Sequence, residues 1–261
     1  MTSAPLVVVH RDASLLAASA AARLVTRLVD VQAARGSAHV VLTGGGVGIA
    51  TLAALAGAPA RDAIDWSALD VWWGDERFLP DGDPERNATQ ARAALLDAVP
   101  IDPSRVHAMP SSDGVHGDDV DAAARAYAAD LAAATSLEDH SDVPSFDVLL
   151  LGVGPDGHIA SLFPSNPAMY EVERSVIGVR GAPKPPPVRV SLTLRAINQA
   201  REVWLLAAGT EKAAAVALAL SQVGEVALPA AGAHGLGRTL WLLDRAAAAQ
   251  VPAGLTRLAS P

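Results

Sequence analysis

Residues 146–164 read FDVLLLGVGPDGHIASLFP, and the fold turns on how that stretch is parsed. Val148 to Leu151 is an uninterrupted apolar run, long enough for one strand buried on both faces. A Gly-rich turn follows and places Asp156, Gly157 and His158 on its far side. In an open α/β sheet, ligands bind in the crevice beyond the carboxyl ends of the strands, where this turn would lie. His158 is the best candidate in the chain for a general base or acid, because unperturbed imidazole titrates near neutrality. A structural reading stands beside it: Asp156-Gly157 is an ordinary turn and His158 opens the next helix.

Outward from this stretch, strands alternate with helices. Residues 6–9, 38–42, 69–73, 202–207 and 239–243 read as short buried strands, with a further candidate at 106–109. Residues 11–31, 47–55, 88–98, 118–134 and 210–220 have helical spacing, much of it Ala-rich, and a short helix is expected in the Ala-rich tail. The alternation predicts an α/β fold, a Rossmann-like three-layer α/β/α arrangement around a mostly parallel sheet. No composition break divides the chain, so residues 1–261 are expected to form a single domain. The section after Pro164 is irregular in the sequence, and Pro183 to Pro187 reads as a rigid polyproline-type segment on a surface or pocket wall.

Lys plus Arg is 20 and Asp plus Glu is 28, a formal charge of −8. That balance argues against a nucleic-acid binder, which needs a basic footprint, but leaves room for a local basic pocket. There is no cysteine, so disulfides, thiolate metal sites and Cys nucleophiles are excluded. The N-terminus lacks a basic region followed by a sufficient apolar segment, and no apolar run is long enough to span a bilayer. The expectation is a cytoplasmic protein with no membrane partner. No G-x-S-x-G elbow and no compact cluster of metal ligands is present. His10, His107, His116, His140 and His234 are scattered and read as structural or solvated.

If the sheet is parallel, three unusual loops share its carboxyl edge: residues 43–46, 74–77 and 152–158. A fourth, Gly209-Thr210-Glu211-Lys212, could join them. Thr43-Gly44-Gly45-Gly46 offers backbone N–H groups and a helix start, which suits a phosphate. A tight strand-to-helix connection is the plainer alternative, although three glycines exceed what a turn needs. Lys212 opposes the helix dipole in a first helical turn, a misfit that a bound phosphate would offset. The plain alternative is a solvated surface lysine. Asp75, Glu76 and Arg77 follow Trp72 and Trp73, which read as core packing. They are either an exposed turn or a carboxylate and a guanidinium offered to a polar substrate. Residues 152–157 match G-x-G-x-x-G, yet Asp156 would repel a pyrophosphate and Pro164 and Pro167 cut short the helix that should follow. The match is read as accidental.

These loops, in this order, resemble the 6-phosphogluconolactonases, within the wider group that includes glucosamine-6-phosphate deaminases. The matching residues are Thr43-Gly44-Gly45, residues 73–77 with Asn87, residues 152–164, Pro183-Lys184-Pro185-Pro186 leading to residues 189–193, and residues 209–212. The resemblance implies hydrolysis of 6-phospho-D-glucono-1,5-lactone to 6-phosphogluconate, in the oxidative pentose phosphate pathway, with no metal and no cofactor. It implies that Thr43, Gly44, Gly45, Arg77 and Lys212 hold the phosphate. His158 would be the catalytic base, with Asp156 and Asp75 as polar partners and Arg189 as a possible substrate contact. The deaminases continue to a catalytic glutamate a few residues beyond the histidine, where this chain has Phe163. A catalytically silent sugar-phosphate sensor is the remaining alternative, and a regulator of that kind would be expected to carry a helix-turn-helix extension. A monomer or weak homodimer is expected.

Overall fold

The computed structural model describes residues 4–136, 139, 141–221 and 223–259. In chain order the elements are β1 (Leu6–His10), α1 (Ala13–Arg35), β2 (Ala38–Leu42), α2 (Gly45–Gly57), β3 (Leu69–Trp73), β4 (Asp75–Arg77), α3 (Asn87–Ala94) and α4 (Val120–Ala133). There follow β5 (Val148–Gly152), β6 (Val176–Val179), β7 (Arg189–Leu192), α5 (Leu194–Ile197), β8 (Glu202–Ala207), α6 (Ala213–Ala219), α7 (Pro229–Gly232), β9 (Arg238–Asp244) and β10 (Thr256–Leu258). Seven strands form one sheet in the order β10-β1-β9-β8-β5-β2-β3, and every pairing in it is parallel. The expected α/β architecture around a mostly parallel sheet is therefore present.

The strand order explains why the loops meet. From β2 the chain moves outward to β3, then returns to the other side of β2 for β5 and continues through β8 to β9. The order reverses at β2, which makes the β2–β5 boundary a topological switch point. The four loops singled out above leave β2, β3, β5 and β8, four adjacent strands of one parallel sheet. Their carboxyl ends necessarily share one edge.

The core matches the apolar strand runs. Val148 to Leu151 are all at most 1 % exposed, as a strand covered on both faces requires. Trp72 and Trp73 are fully buried, and each such side chain contributes about 1.5–3 kcal/mol by leaving water. Trp72 stacks on the His107 ring at 3.8 Å, and His107 Nε2 meets Asp70 Oδ1 at 2.9 Å, so His107 is a packed structural histidine. α1 starts where the Asp12 carboxylate accepts from Leu15 N at 2.8 Å and stops at Gly36.

Four expectations need correction. Residues 75–77 form β4 rather than a loop, pairing antiparallel with β7, which pairs in turn with β6. This second, three-stranded sheet occupies the section that reads as irregular, because Pro and short apolar runs hide its period. Residues 106–109 make no strand; Val106 only bridges to Val71. Residues 245–250 form turns rather than a tail helix, and the chain continues into β10 beside β1. His158 opens no helix: Ile159 and Leu162 form an isolated bridge, with Ala160 at a φ of 47° between them. His140 lies outside the described residues.

Candidate active site

A cavity of about 770 Å³ opens at the switch point. Its wall includes Thr43, Gly44, Gly45, Asp75, Arg77, His158, Arg189 and Lys212, so eight of the nine sequence-predicted residues line one space. The ninth, Asp156, stands directly behind His158. A larger open groove, about 1120 Å³, runs along the opposite edge of the sheet, and none of the predicted residues lines it.

The floor is the β2–α2 connection. Thr43 is buried, and its Oγ1 accepts from Gly152 N at 3.1 Å, which ties the two loops together. α2 begins at Gly45 with Gly44 as its N-cap, and no side chain caps it. Its first N–H groups are therefore left for water or a ligand, at the positive end of the helix dipole. Gly44 has a steric reason to be glycine. A Cβ there would come within 1.9 Å of Asn87 Oδ1. Asn87 is held in place by donating from Nδ2 to the Asp75 carbonyl at 2.8 Å.

His158 is positioned by a turn that closes with Gly154 N donating to the His158 carbonyl at 2.8 Å and Gly157 N to the Gly154 carbonyl at 3.0 Å. Gly157 has a φ of +81°, a conformation that a side chain would strain. The imidazole Nδ1 lies 2.5 Å from Asp156 Oδ1. The carboxylate accepts, so the neutral ring carries its proton on Nδ1 and leaves the Nε2 lone pair free. Burial lowers the His158 pKa below its ordinary 6.5, helped by the Lys184 charge and resisted by Asp156 and Asp75. Burial works against ionised Asp156, but the hydrogen bond and charge of His158 outweigh it, and its pKa falls. The pair thus stands as neutral imidazole beside carboxylate. The Phe163 ring packs 4.7 Å from the imidazole.

β4 supplies the opposite wall. Asp75 Oδ2 accepts from Ser161 Oγ at 2.7 Å and lies 4.0 Å from Arg189 Nη1. Glu76 points away from the cavity. It accepts from the backbone N–H groups of Arg77, Asn87 and Ala88 at 2.7–2.9 Å, and so fixes the start of α3 against β4. Its burial raises its pKa despite those bonds. Arg77 lines the cavity and donates to the Glu85 carbonyl.

Arg189 lines the cavity, yet most of its guanidinium is engaged by the protein itself. Its side chain is only 7 % exposed. Its Nε donates to the Pro186 carbonyl at 2.7 Å, and Nη2 to the carbonyls of Lys184 and Pro185 at 3.1 and 3.2 Å. Most of its donors are thus spent on the backbone of the Pro-rich segment. That segment brings Lys184 and Pro185 to the cavity wall. Lys184, Ser161 and Asn87 sit in the resembling motifs, but no sequence pattern distinguishes their roles; the lysine within a run of prolines is the one signal available for Lys184.

Lys212 closes the site from the β8 side. It ends a turn that begins at Gly209, whose N–H donates to the Asp244 carboxylate at 3.1–3.2 Å. Burial lowers the Lys212 pKa, and the nearby Lys184 charge lowers it further. Four cations line the cavity, Arg77, Lys184, Arg189 and Lys212, against the carboxylates Asp75 and Glu211. An acidic protein has built one net-positive pocket, with a base at its wall and an uncapped helix start at its floor. That combination defines a site for a phosphorylated small molecule open to acid–base chemistry.

Comparison with known proteins agrees. Residues 11–241 match the family model described as glucosamine-6-phosphate isomerases/6-phosphogluconolactonase. The chain belongs to that family. It is 69 % identical over 255 residues to a 6-phosphogluconolactonase of Streptomyces coelicolor, covering 98 % of each chain. It is 53 % identical over 241 residues to a 6-phosphogluconolactonase of Mycobacterium tuberculosis, covering 92 % of this chain and 96 % of that one. The structure of 6-phosphogluconolactonase from Trypanosoma brucei superposes with a TM-score of 0.84 at 29 % identity, covering 97 % of this chain and all of that one.

Proposed function

We propose that this chain is a 6-phosphogluconolactonase whose base is His158. It hydrolyses 6-phospho-D-glucono-1,5-lactone to 6-phospho-D-gluconate in the oxidative pentose phosphate pathway. The identity to lactonases of the same length supports the activity. The observation that carries the mechanism is the neutral His158 imidazole, held by the Asp156 carboxylate and facing a cavity lined by four cations.

The phosphate seats on the N–H groups of residues 44–46 and on Lys212, with Thr43 shaping the loop and Arg77 adding charge. This remote anchor sets the lactone carbonyl beside His158. Water adds to the carbonyl carbon as Nε2 takes its proton, and Asp156 stabilises the imidazolium that forms. The carbonyl oxygen becomes an oxyanion. As it collapses, the bond from the carbonyl carbon to the ring oxygen breaks, and Nε2 returns its proton to that oxygen. The product is the open-chain acid, and His158 ends neutral. Asp75, tied to Ser161 and Asn87, serves as a polar wall for the sugar.

Phe163 favours this reading over the deaminase reaction, since the buried ring stands where the resemblance would require a carboxylate. A monomer or weak homodimer is the assembly we infer. The net charge of −8 gives no footing for nucleic acid. Among the described residues no helix is long and apolar enough to cross a membrane, and we place the enzyme in the cytoplasm with its phosphorylated substrate.

The test is to generate the lactone freshly from glucose 6-phosphate and follow 6-phosphogluconate formation against the spontaneous rate, with chelator present. Acceleration that is lost in His158→Ala, with KM little changed, supports the reading. Unchanged turnover in that variant would remove His158 as the base. Ammonia release from glucosamine 6-phosphate without lactone hydrolysis would move the chain to the deaminase branch.

A further inference from the structure

The mechanism above leaves the oxyanion without a named partner. The candidates are the cavity's four cations, and their surroundings separate them. Arg77 is bonded to the Glu85 carbonyl. Arg189 is buried with three backbone carbonyls and stands against Asp75. Lys212 rises from the turn after β8, beside the Gly-rich floor where a phosphate would seat. Lys184 differs from all three. Its residue is exposed yet lines the cavity, and no hydrogen bond or ion pair engages its ammonium among the described residues. A free lysine on a loop normally wanders, but the backbone of this one is clamped. Arg189 binds the carbonyls of residues 184, 185 and 186 in succession, from a strand whose own position is fixed by pairing with β4 and β6.

The geometry points to Lys184 as a further catalytic residue, the ammonium that stabilises the lactone oxyanion, and to Arg189 as the positioning residue that holds it there. This rests on the lactonase reading. Lys184 stands between the two ends of the cavity, its charge acting on both His158 and Lys212, and it is the cation left over once the phosphate is served. Of the cations around His158, Lys184 exerts the largest effect on its protonation, acting alongside Asp156 and Asp75. The floor and Lys212 already serve the phosphate. A preorganised cation near the developing oxyanion acts mainly in the transition state, so its loss falls on kcat rather than on KM. The same charge helps to keep His158 neutral and ready to accept a proton. The rigid Pro183 to Pro187 segment acquires a purpose as well: a stiff backbone with few N–H donors presents its carbonyls to one guanidinium.

The test compares Lys184→Met with Lys212→Ala on 6-phosphogluconolactone and on unphosphorylated δ-gluconolactone. Lys184→Met is expected to lower kcat by about a hundredfold with little change in KM, as removal of one oxyanion donor does. Its penalty should be of similar size on both lactones. The acid limb of its pH–rate profile should move to higher pH, because His158 loses a neighbouring positive charge. Lys184→Arg should recover part of the rate. Arg189→Met should lower kcat in the same way, and combining it with Lys184→Met should cost little more than either alone. Wild-type kcat in Lys184→Met overturns the proposal. So does a change in KM alone that vanishes on δ-gluconolactone, which would make Lys184 a phosphate ligand. If Arg189→Met does not fold, the kcat-against-KM split and the pH profile of Lys184→Met still decide. Failure of the wild-type protein to hydrolyse either lactone would refute the lactonase reading itself, a result distinct from these.

Discussion

Gly154→Ala isolates the catalytic pair with one methyl group. The perturbation is steric, because the backbone of Gly154 is not in the left-handed region. A Cβ there would stand 2.0 Å from His158 Nδ1, 2.2 Å from Cε1 and 2.4 Å from Asp156 Oδ1. Real contacts of this kind do not fall below 3.0 Å, so both side chains must retreat together. A retreat of about 1 Å separates the base from its water, and a misplacement of that size costs about a hundredfold in rate. The proposed phosphate grip on α2 and Lys212 is not among the atoms the methyl group meets, so KM should stay within about twofold while kcat falls. The control is Gly57→Ala at the end of α2, where a Cβ meets nothing within 4 Å and activity should be unchanged. The assay is steady-state hydrolysis of freshly made lactone, with thermal unfolding on the same samples to confirm folding. A Gly154→Ala enzyme that keeps kcat within twofold of wild type would refute the argument. The ring and carboxylate would then not need the positions seen here.

Other expectations follow from the same geometry. kcat/KM should fall in acid with a midpoint below pH 6.5, because the folded pKa of His158 is depressed and its protonated ring has no lone pair to offer; a midpoint above 6.5 in a pH–rate profile would contradict the burial argument. The same depression means that protonation favours the unfolded chain, so this histidine's contribution to stability is present above pH 6.5 and is lost as the pH falls through the folded value; urea midpoints across that range measure it. Lys212→Ala should raise KM at least tenfold and leave kcat nearly intact, since a phosphate anchor is used equally in the ground and transition states. Gly44→Ala should push out the Asn87 amide, which Asp75 holds from the other side, and destabilise the fold by about 1–3 kcal/mol of overpacking, read from denaturant midpoints.

The parallel sheet was legible because its strands are doubly covered: runs such as Val148 to Leu151 admit few other readings once helices alternate with them. Legibility ended where local pattern no longer reports tertiary placement. β4, β6 and β7 have three or four residues each, too short for a period, and they pair only because β4 leaves the sheet at Gly74 and meets a distant segment. For the site, the Gly-rich floor and the Asp156–His158 turn could be read because each feature is contiguous in sequence. Arg189 could not. Its role depends on which atoms its guanidinium meets, and those belong to a loop that sequence renders only as proline-rich. Glu76 shows the converse: one residue from Asp75 and equally charged, it faces inward to the start of α3 because successive strand residues point to opposite sides.

The neutrality of His158 at working pH has a structural cost that the surroundings share out. A bare imidazole beside a carboxylate tends to become an imidazolium, and a charged ring could not accept water's proton. Two features oppose that outcome here. The Phe163 ring and the closed turn keep water from the imidazole, leaving its side chain 18 % exposed. The clamped Lys184 adds a positive charge on the cavity side. Asp156, engaged through Nδ1, pulls the other way and orients the ring, but burial outweighs it. Replacing Phe163 by glutamate would reverse the first of these, adding a second carboxylate beside the ring. The variant Phe163→Glu should therefore raise the acid midpoint of the pH–rate profile and lower turnover near neutrality, with the phosphate anchor still intact. An unchanged midpoint would show that Phe163 is packing alone and that Lys184 and the turn suffice.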